Sequence, residues 1–372
     1  PMSDLPEFRI SVDQNPYLPD GGRDMHAIVS VEARAPGGGG AGAGAAAARA
    51  PGGGGAGAGA AAAEVIVIDT SGSMSFGGKM AAAKRAAATA VDVLRDGVHF
   101  AVVAGANRPR MVFPQGERLV RADARTRQSA VRAVRRLDAA GGTAIGSWLR
   151  LADRLLAGHD GAVRHAILLT DGKNQHESAA ELDAVLRRCA GRFVCDARGV
   201  GTDWEVAELR KIASALLGGF LDVPDPADLE ADFRAMARTA MGKRVADVAL
   251  RVWTPQAAEL RFVKQMVPAV EDLTGRRVAS GERTGDYPVG AWGSEAREYH
   301  LCVRVPAGAI GQRMRAAWVK LVAPGGAVLA SGNVLAEWTD DEARSTRINR
   351  RVAHHTGQSE LAEAVREGLE AR

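Results

Sequence analysis

The spacing of hydrophobic positions changes twice along the chain. At the start, "FRISV" and "HAIVSVEA" have strand character on either side of the turn-rich "DQNPYLPDGGRD". This β segment is too short to fold alone and is expected to pair with something later. From residue 64 onward, apolar runs of strand length alternate with helical periodicity. Strands are predicted at 65–68, 98–104, 165–170 and 192–200, with a short extended piece at 111–113 and "GFLDV" as a further strand. Helices are predicted at about 79–95, 124–137, 145–156, 179–188, 204–216 and 226–239. A run such as Val65-Ile66-Val67-Ile68 suits a strand covered on both faces. The alternation therefore predicts an α/β fold with a doubly wound, mostly parallel sheet.

Beyond Thr239 the pattern becomes short strands parted by Pro, Gly and Asp: "VADVALRVWTP", "ELRFVKQMVP", "REYHLCVRVP", "MRAAWVKLVAP" and "AVLASGNVLAEW". That pattern predicts an antiparallel β-sandwich, with "SGERTGDYPVGAWGSEARE" as a long turn inside it. Near the end, Leu361, Val365 and Leu369 recur at i, i+4 and i+8, which predicts an amphipathic helix.

One low-complexity tract punctuates this order. "RAPGGGGAGAGAAAA" occurs twice in tandem, at 34–48 and 49–63, and its glycine and alanine cannot build a core, so it reads as a linker. The expected layout is β strands at 1–33, linker at 34–63, α/β domain at 64–242, β-sandwich at 243–342 and helical tail at 343–372. The α/β domain is thus inserted between strands of the sandwich.

Composition narrows the class. A chain of 372 residues with 46% hydrophobic content suits two globular domains. No stretch approaches the roughly 20 apolar residues of a membrane span, and "PMSDLPEFRI" lacks the regions of a secretory signal, so a cytoplasmic location is expected. Cys189, Cys195 and Cys302 are odd in number and lack ligand spacing, which favours reduced thiols over disulfides or zinc. The net charge of +4 is mild. In the densest basic patch, "RADARTRQSAVRAVRR", Ala130, Val134 and Leu137 share a helix face that excludes Arg125, Arg132 and Arg136. A solvated face accounts for the arginines, and without interleaved aromatic residues the patch argues against nucleic acid as a partner.

Candidate chemistry gathers at three places. "VIVIDTSGSMS" ends a central strand in Asp69, Ser71 and Ser73; "AAGGTAIGSWL" holds Thr143 before a helix; "HAILLTDGKN" ends another strand at Asp171. In open parallel sheets ligands bind beyond the carboxyl ends of strands, so these residues can converge. Three hydroxyls and two carboxylates form an all-oxygen set, suited to a hard divalent cation and not to zinc or copper. Taken singly, each cluster has a local explanation as a turn, and Thr143 as a helix N-cap. Met74, Lys173 and Asn174 are expected on the rim.

Catalytic patterns fit less well. Serine at 71 stands where a two-aspartate phosphatase motif needs its second carboxylate, and "SMSFG" lacks the first glycine of a nucleophile elbow. His165 reads as a core histidine on a strand, while His26, His300, His354 and His355 have no evident partner. The chain is expected not to be an enzyme.

Together, "DTSGS" at 69–73, the threonine of "GGTAIG" and the aspartate of "LLTDG" resemble the metal-ion-dependent adhesion site of von Willebrand factor A domains, over about residues 64–239. The resemblance implies that Ser71, Ser73 and Thr143 supply hydroxyl ligands to Mg²⁺ (or Mn²⁺ or Ca²⁺), with Asp69 and Asp171 acting largely through coordinated water. An open position on the ion would then take a carboxylate from a partner protein. "QNPYLP", "LRDGVHFAVVAG", "GVGTDWEVAELRKIASALLG" and "FRAMARTAMGKRVADVALRVWTPQ" are further similar to bacterial cytoplasmic A-domain proteins of tellurium-resistance and related stress loci. That similarity implies association with a Ser/Thr kinase or a metal-dependent protein phosphatase. The expected function is a Mg²⁺-dependent protein-interaction module in bacterial stress or phosphorylation signalling. The alternatives are an adaptor for an AAA+ ATPase, a metal-dependent phosphoesterase and an RNA-binding protein.

Overall fold

Strands β1 (Glu7–Gln14), β2 (Tyr17–Leu18) and β3 (Asp24–Arg34) precede the Gly/Ala repeat. The computed structural model describes residues 5–35, 61–172, 174–201 and 206–370, so most of the repeat, the start of the helix expected at 204, and Lys173 lie outside the described residues. The chain forms two units, Ala60–Ala246 and Pro1–Gly59 with Asp247–Arg372. Among the described residues no helix is long and apolar enough to cross a membrane.

In the first of these units, strands and helices alternate as the hydrophobic pattern predicts. The order is β4 (Ala62–Asp69), α1 (Lys79–Asp92), β5 (His99–Gly105), β6 (Arg110–Phe113), β7 (Val120–Arg121), α2 (Ala124–Arg135), α3 (Ile145–Leu156), β8 (Val163–Thr170), α4 (Ala179–Cys189), β9 (Val194–Val200), α5 (Val206–Ala215), β10 (Phe220–Val223) and α6 (Leu229–Met241). The sheet runs β10-β9-β8-β4-β5-β6, with β7 also paired to β5. Its first five strands are mutually parallel, while β6 and β7 run antiparallel to β5. Every residue of β4 is buried, as a strand sandwiched between helical layers must be. Val65 and Val67 face a core built with Ile145, Trp148 and Leu149 of α3 and with residues of α4 and α5. By strand alternation Ile66 and Ile68 face the opposite layer, where α1 packs on α2 and α6. Strand β4 starts at Ala62 rather than at 65, because Ala62, Ala63 and Glu64 extend the ladders to β8 and β5.

The other unit is a sandwich of two largely antiparallel sheets. Its later elements are β11 (Val245–Trp253), β12 (Glu259–Val267), β13 (Glu271–Asp272), β14 (Val278–Gly281), β15 (Thr284–Trp292), β16 (Glu295–Arg304), β17 (Arg313–Val322), β18 (Val328–Trp338), α7 (Glu342–Ser345) and α8 (Arg350–Glu370). One sheet is ordered β1-β3-β16-β12-β13 and the other β14-β15-β11-β17-β18-β2. Strand β3, from ahead of the repeat, lies between β1 and β16 with ten paired positions to β16, from Glu295↔Ala33 to Arg304↔Asp24. Trp292, Tyr299 and Trp338 are among its largest fully buried side chains.

Two expectations are corrected in this unit. The segment read as a long turn is mostly strand: β15 alternates burial through Gly285, Tyr287, Val289 and Ala291, a period of two that its glycines and proline obscure. Three of the four histidines read as partnerless, His26, His300 and His355, have polar partners. His26 Nδ1 lies 3.1 Å from His300 Nε2, and His355 Nε2 lies 2.5 Å from Glu298 Oε2. Helix α8 lies against β1 and β3, held by Arg351, which is ion-paired to Asp13 and Glu298, by the His355–Glu298 contact, and by Lys264, whose Nζ donates 2.9 Å to Ser359 Oγ. Leu361, expected on its apolar face, is exposed, and the side chains of Val365 and Leu369 lie outside the described residues.

Candidate metal centre

Register alone brings two of the three clusters together. Because Ile68 pairs with Leu169 in parallel ladders, the next residues along, Asp69 and Thr170, end their strands side by side. Asp171 follows directly, and both aspartates are fully buried. The third cluster is tied in by backbone: Ala140 N–H donates 2.6 Å to the Thr70 carbonyl, and Gly72 N–H donates 3.0 Å to the Gly141 carbonyl.

The side chains form a connected set. Ser71 N–H donates 2.7 Å to Asp69 Oδ1, and Thr170 Oγ1 donates 2.5 Å to Asp69 Oδ2. Ser71 Oγ and Ser73 Oγ lie 3.0 Å apart, and Ser73 Oγ donates 2.7 Å to Asp171 Oδ1. Lys79 Nζ donates 2.8 Å to Asp171 Oδ2. Burial pushes the Asp69 carboxyl above its ordinary value, against the pull of the bonds from Thr170 and Ser71.

Thr143 joins from the other side of Gly172. A Cβ on Gly172 would lie 3.4 Å from Thr143 Oγ1, 3.7 Å from Ser73 Oγ and 4.0 Å from Asp69 Oδ2, so the three oxygens surround one small space in front of that glycine. Thr143 is not the cap of α3. The N-cap position is Ala144, and the free N–H groups of the helix start are satisfied by Asn174 Oδ1 (from Ile145, 3.1 Å) and Glu177 Oε2 (from Gly146, 2.5 Å). All five oxygen-bearing residues named from the sequence therefore meet in one place. Their donor chemistry fits a hard divalent cation, since short hydroxyls and carboxylates on rigid strand ends suit an oxygen-seeking ion. No group of three or more His, Cys, Asp or Glu gathers with metal-binding geometry among the described residues.

The rim differs from expectation. Met74 is fully buried in the 3-10 turn Gly72–Ser75, where its apolar side chain belongs, and does not face the opening. Asn174 is committed to capping α3. The exposed positions near the site are instead Phe76, 72% exposed just after the serine loop, and His176, whose ring lies against Gly142. Lys79, Thr170 and His176 were missed in the sequence. Lys79 did carry a signal: a lysine opening a helix opposes the helix dipole, and no acidic residue in the first turn offsets it, so a nearby carboxylate is implied.

Strands β4, β8 and β9 carry a second buried charge cluster. His165 Nδ1 lies 2.9 Å from both Glu64 carboxylate oxygens, and its Nε2 lies 3.0 Å from Asp196 Oδ2. Burial alone would lower the His165 pKa, but the two carboxylates outweigh it and hold it at about 10. His165 is thus a core histidine, as read, but an ion-paired one.

With this geometry in place, comparison with known proteins gives the class. The von Willebrand factor type A domain family model matches residues 63–222. A von Willebrand factor type A protein from Catenulispora acidiphila is similar over 100% of this chain and 82% of its own, at 48% identity and a TM-score of 0.91. The chain belongs to the von Willebrand factor type A family. The ArnB paralogue VWA2 from Sulfolobus acidocaldarius shares the fold over 97% of this chain and 85% of its own, at 13% identity and a TM-score of 0.59. An uncharacterised protein of Synechocystis sp. is 29% identical over 233 residues, 59% of this chain. The chain spans about half the length of that curated relative, 53%.

Proposed function

We propose that this protein is a divalent-cation-dependent protein-binding module, with Asp69, Ser71, Ser73, Thr143 and Asp171 holding Mg²⁺ or Mn²⁺. The observation that carries the proposal is the meeting of Thr143, Ser73 and Asp69 oxygens in front of Gly172, with Asp171 bonded to Ser73 behind them. When bound, such an ion offers an electrophilic position to a carboxylate oxygen, because hydroxyl ligands donate little negative charge to it. The chain's own part is to fix the oxygens. Thr170 and the Ser71 N–H hold the Asp69 carboxylate, and Lys79 and Ser73 hold that of Asp171. Exposed Phe76 and His176 border the opening and are the proposed contacts to the partner around its acidic residue.

Binding without catalysis is the role we propose. His165 is engaged by two carboxylates, and the carboxylate beside the serine hydroxyls, Asp171, which accepts from Ser73, is also bonded to Lys79. The setting proposed, stress or phosphorylation signalling with a kinase or phosphatase partner, rests on the resemblance to stress-locus proteins alone. The test is affinity capture from lysate by the full chain, in Mg²⁺ and in chelator, alongside assay of phosphate-ester turnover. Proteins retained in Mg²⁺, released by chelator and absent with Ser73→Ala, with no turnover, support the reading. A captured set indifferent to metal, or metal-dependent turnover, contradicts it.

A further inference from the structure

The outer face of one sandwich sheet gathers like charges around two tryptophans. Strand alternation buries Val252 and Val319 and turns their neighbours on β11 and β17, Trp253 and Trp318, outward, where both are partly exposed. The two tryptophans stand directly opposite each other in the antiparallel ladder, and so do Arg251 and Lys320 a little further along. Cations are seated on the rings. Lys320 Nζ lies 3.5 Å and Arg315 Cζ 5.2 Å from the centre of the Trp318 ring, and Arg283 Cζ lies 5.9 Å from that of Trp253. Thr254 N–H donates 3.2 Å to the Arg283 carbonyl, which fixes the turn carrying Arg283 at the end of β11.

Carboxylates on the same face are engaged by other arginines. Asp286 accepts from Arg251 at 2.7 and 2.8 Å, and Glu337 is paired with Arg313 at 2.8 Å. Arg283, Arg315 and Lys320 are seated on indole rings, without an ion pair among the described residues. Like charges set opposite each other weaken a sheet, so the fold itself does not call for this grouping. An anionic ligand turns the repulsion into attraction. We propose that this face binds an acidic polypeptide segment, whose carboxylates meet Arg283, Arg315 and Lys320. The tryptophans hold these cations in place by cation–π contact, so less side-chain freedom is lost on binding. Ser331 and Asn333, exposed on β18 opposite Lys320 and Trp318, add hydroxyl and amide groups for a peptide backbone. Single-stranded nucleic acid fits this face less well, because bases stack on bare aromatic rings and here cations already lie over them.

The test is titration of the full chain into a fluorescein-labelled oligoglutamate, read by fluorescence anisotropy, with a labelled oligothymidylate of equal charge in parallel. Chelator is present throughout, which removes any part played by the metal site. The wild type is expected to bind the peptide more tightly than the oligonucleotide, and more weakly as salt rises. Arg315→Gln combined with Lys320→Gln is expected to weaken peptide binding about tenfold, the sum of two exposed ion pairs. Trp318→Leu, which keeps every charge but removes the seat of two cations, should weaken it as well. Arg125→Gln combined with Arg132→Gln removes the same charge from the exposed face of α2 and should leave binding unchanged. Equal weakening by the two double variants would reduce the effect to net charge and overturn the site. Absence of peptide binding by the wild type, or tighter binding of the oligonucleotide, overturns the acidic segment as its occupant.

Discussion

Asp69 and Thr170 end adjacent parallel strands side by side, and the threonine hydroxyl donates a 2.5 Å hydrogen bond to Asp69 Oδ2. The threonine satisfies one oxygen of a fully buried carboxylate while leaving the aspartate aimed at the hydroxyls around Gly172. Thr170→Val keeps the shape and removes the donor. In chelator it is expected to lower stability by about 1–3 kcal/mol, the cost of an unsatisfied buried acceptor. Added Mg²⁺ should restore part of the loss, because a ligand that binds only the folded state stabilises it. Thermal melts of both proteins with and without metal measure this, and equal melting in chelator would contradict it.

His165 makes stability depend on pH in a stated direction. Its folded-state pKa of about 10 lies above the ordinary 6.5, so its contribution is fully present below pH 6.5 and is lost as pH rises toward 10. The melting temperature should therefore fall between these values, and His165→Gln should flatten that fall. His165→Ala should cost about 3–5 kcal/mol at neutral pH, because Glu64 and Asp196 lose the cation between them. Equal pH slopes in wild type and His165→Gln would refute the account.

Helix α8 offers a local test. Glu298 is ion-paired to both Arg351 and His355 of that helix. Glu298→Ala is expected to raise amide hydrogen exchange across residues 350–360 while β16 and β3 stay protected, since a helix held by few polar contacts opens before the sheet it lies on. Unchanged exchange in the helix would show that other contacts hold it.

The parts of this protein that were legible in sequence are those written in periodicity and in short local motifs. The run 65–68 and its sister strands announce a parallel sheet, and strand-end placement alone brings Asp69 and Asp171 to one edge. Side-chain direction was not legible. Met74 shares its loop with the Ser71 and Ser73 hydroxyls yet turns inward, because the 3-10 turn Gly72–Ser75 directs one residue into the core. Partners distant in sequence were also hidden: Lys79 and Asp171 are 92 residues apart, and Glu64 meets His165 across 101. Nothing in local composition encodes such pairs; only the strand register does. β15 was misread for a different reason, since its glycines and Pro288 mimic a turn while its alternation is that of a strand.

The most direct test of the central claim is calorimetric titration of Mg²⁺ and Mn²⁺ into the full chain and into Asp69→Asn, which keeps the shape of the side chain and removes its charge. The account predicts one binding event per wild-type chain and its loss, or a weakening of at least about a hundredfold, in the variant. Binding of equal strength in both proteins, or none in the wild type, would contradict it.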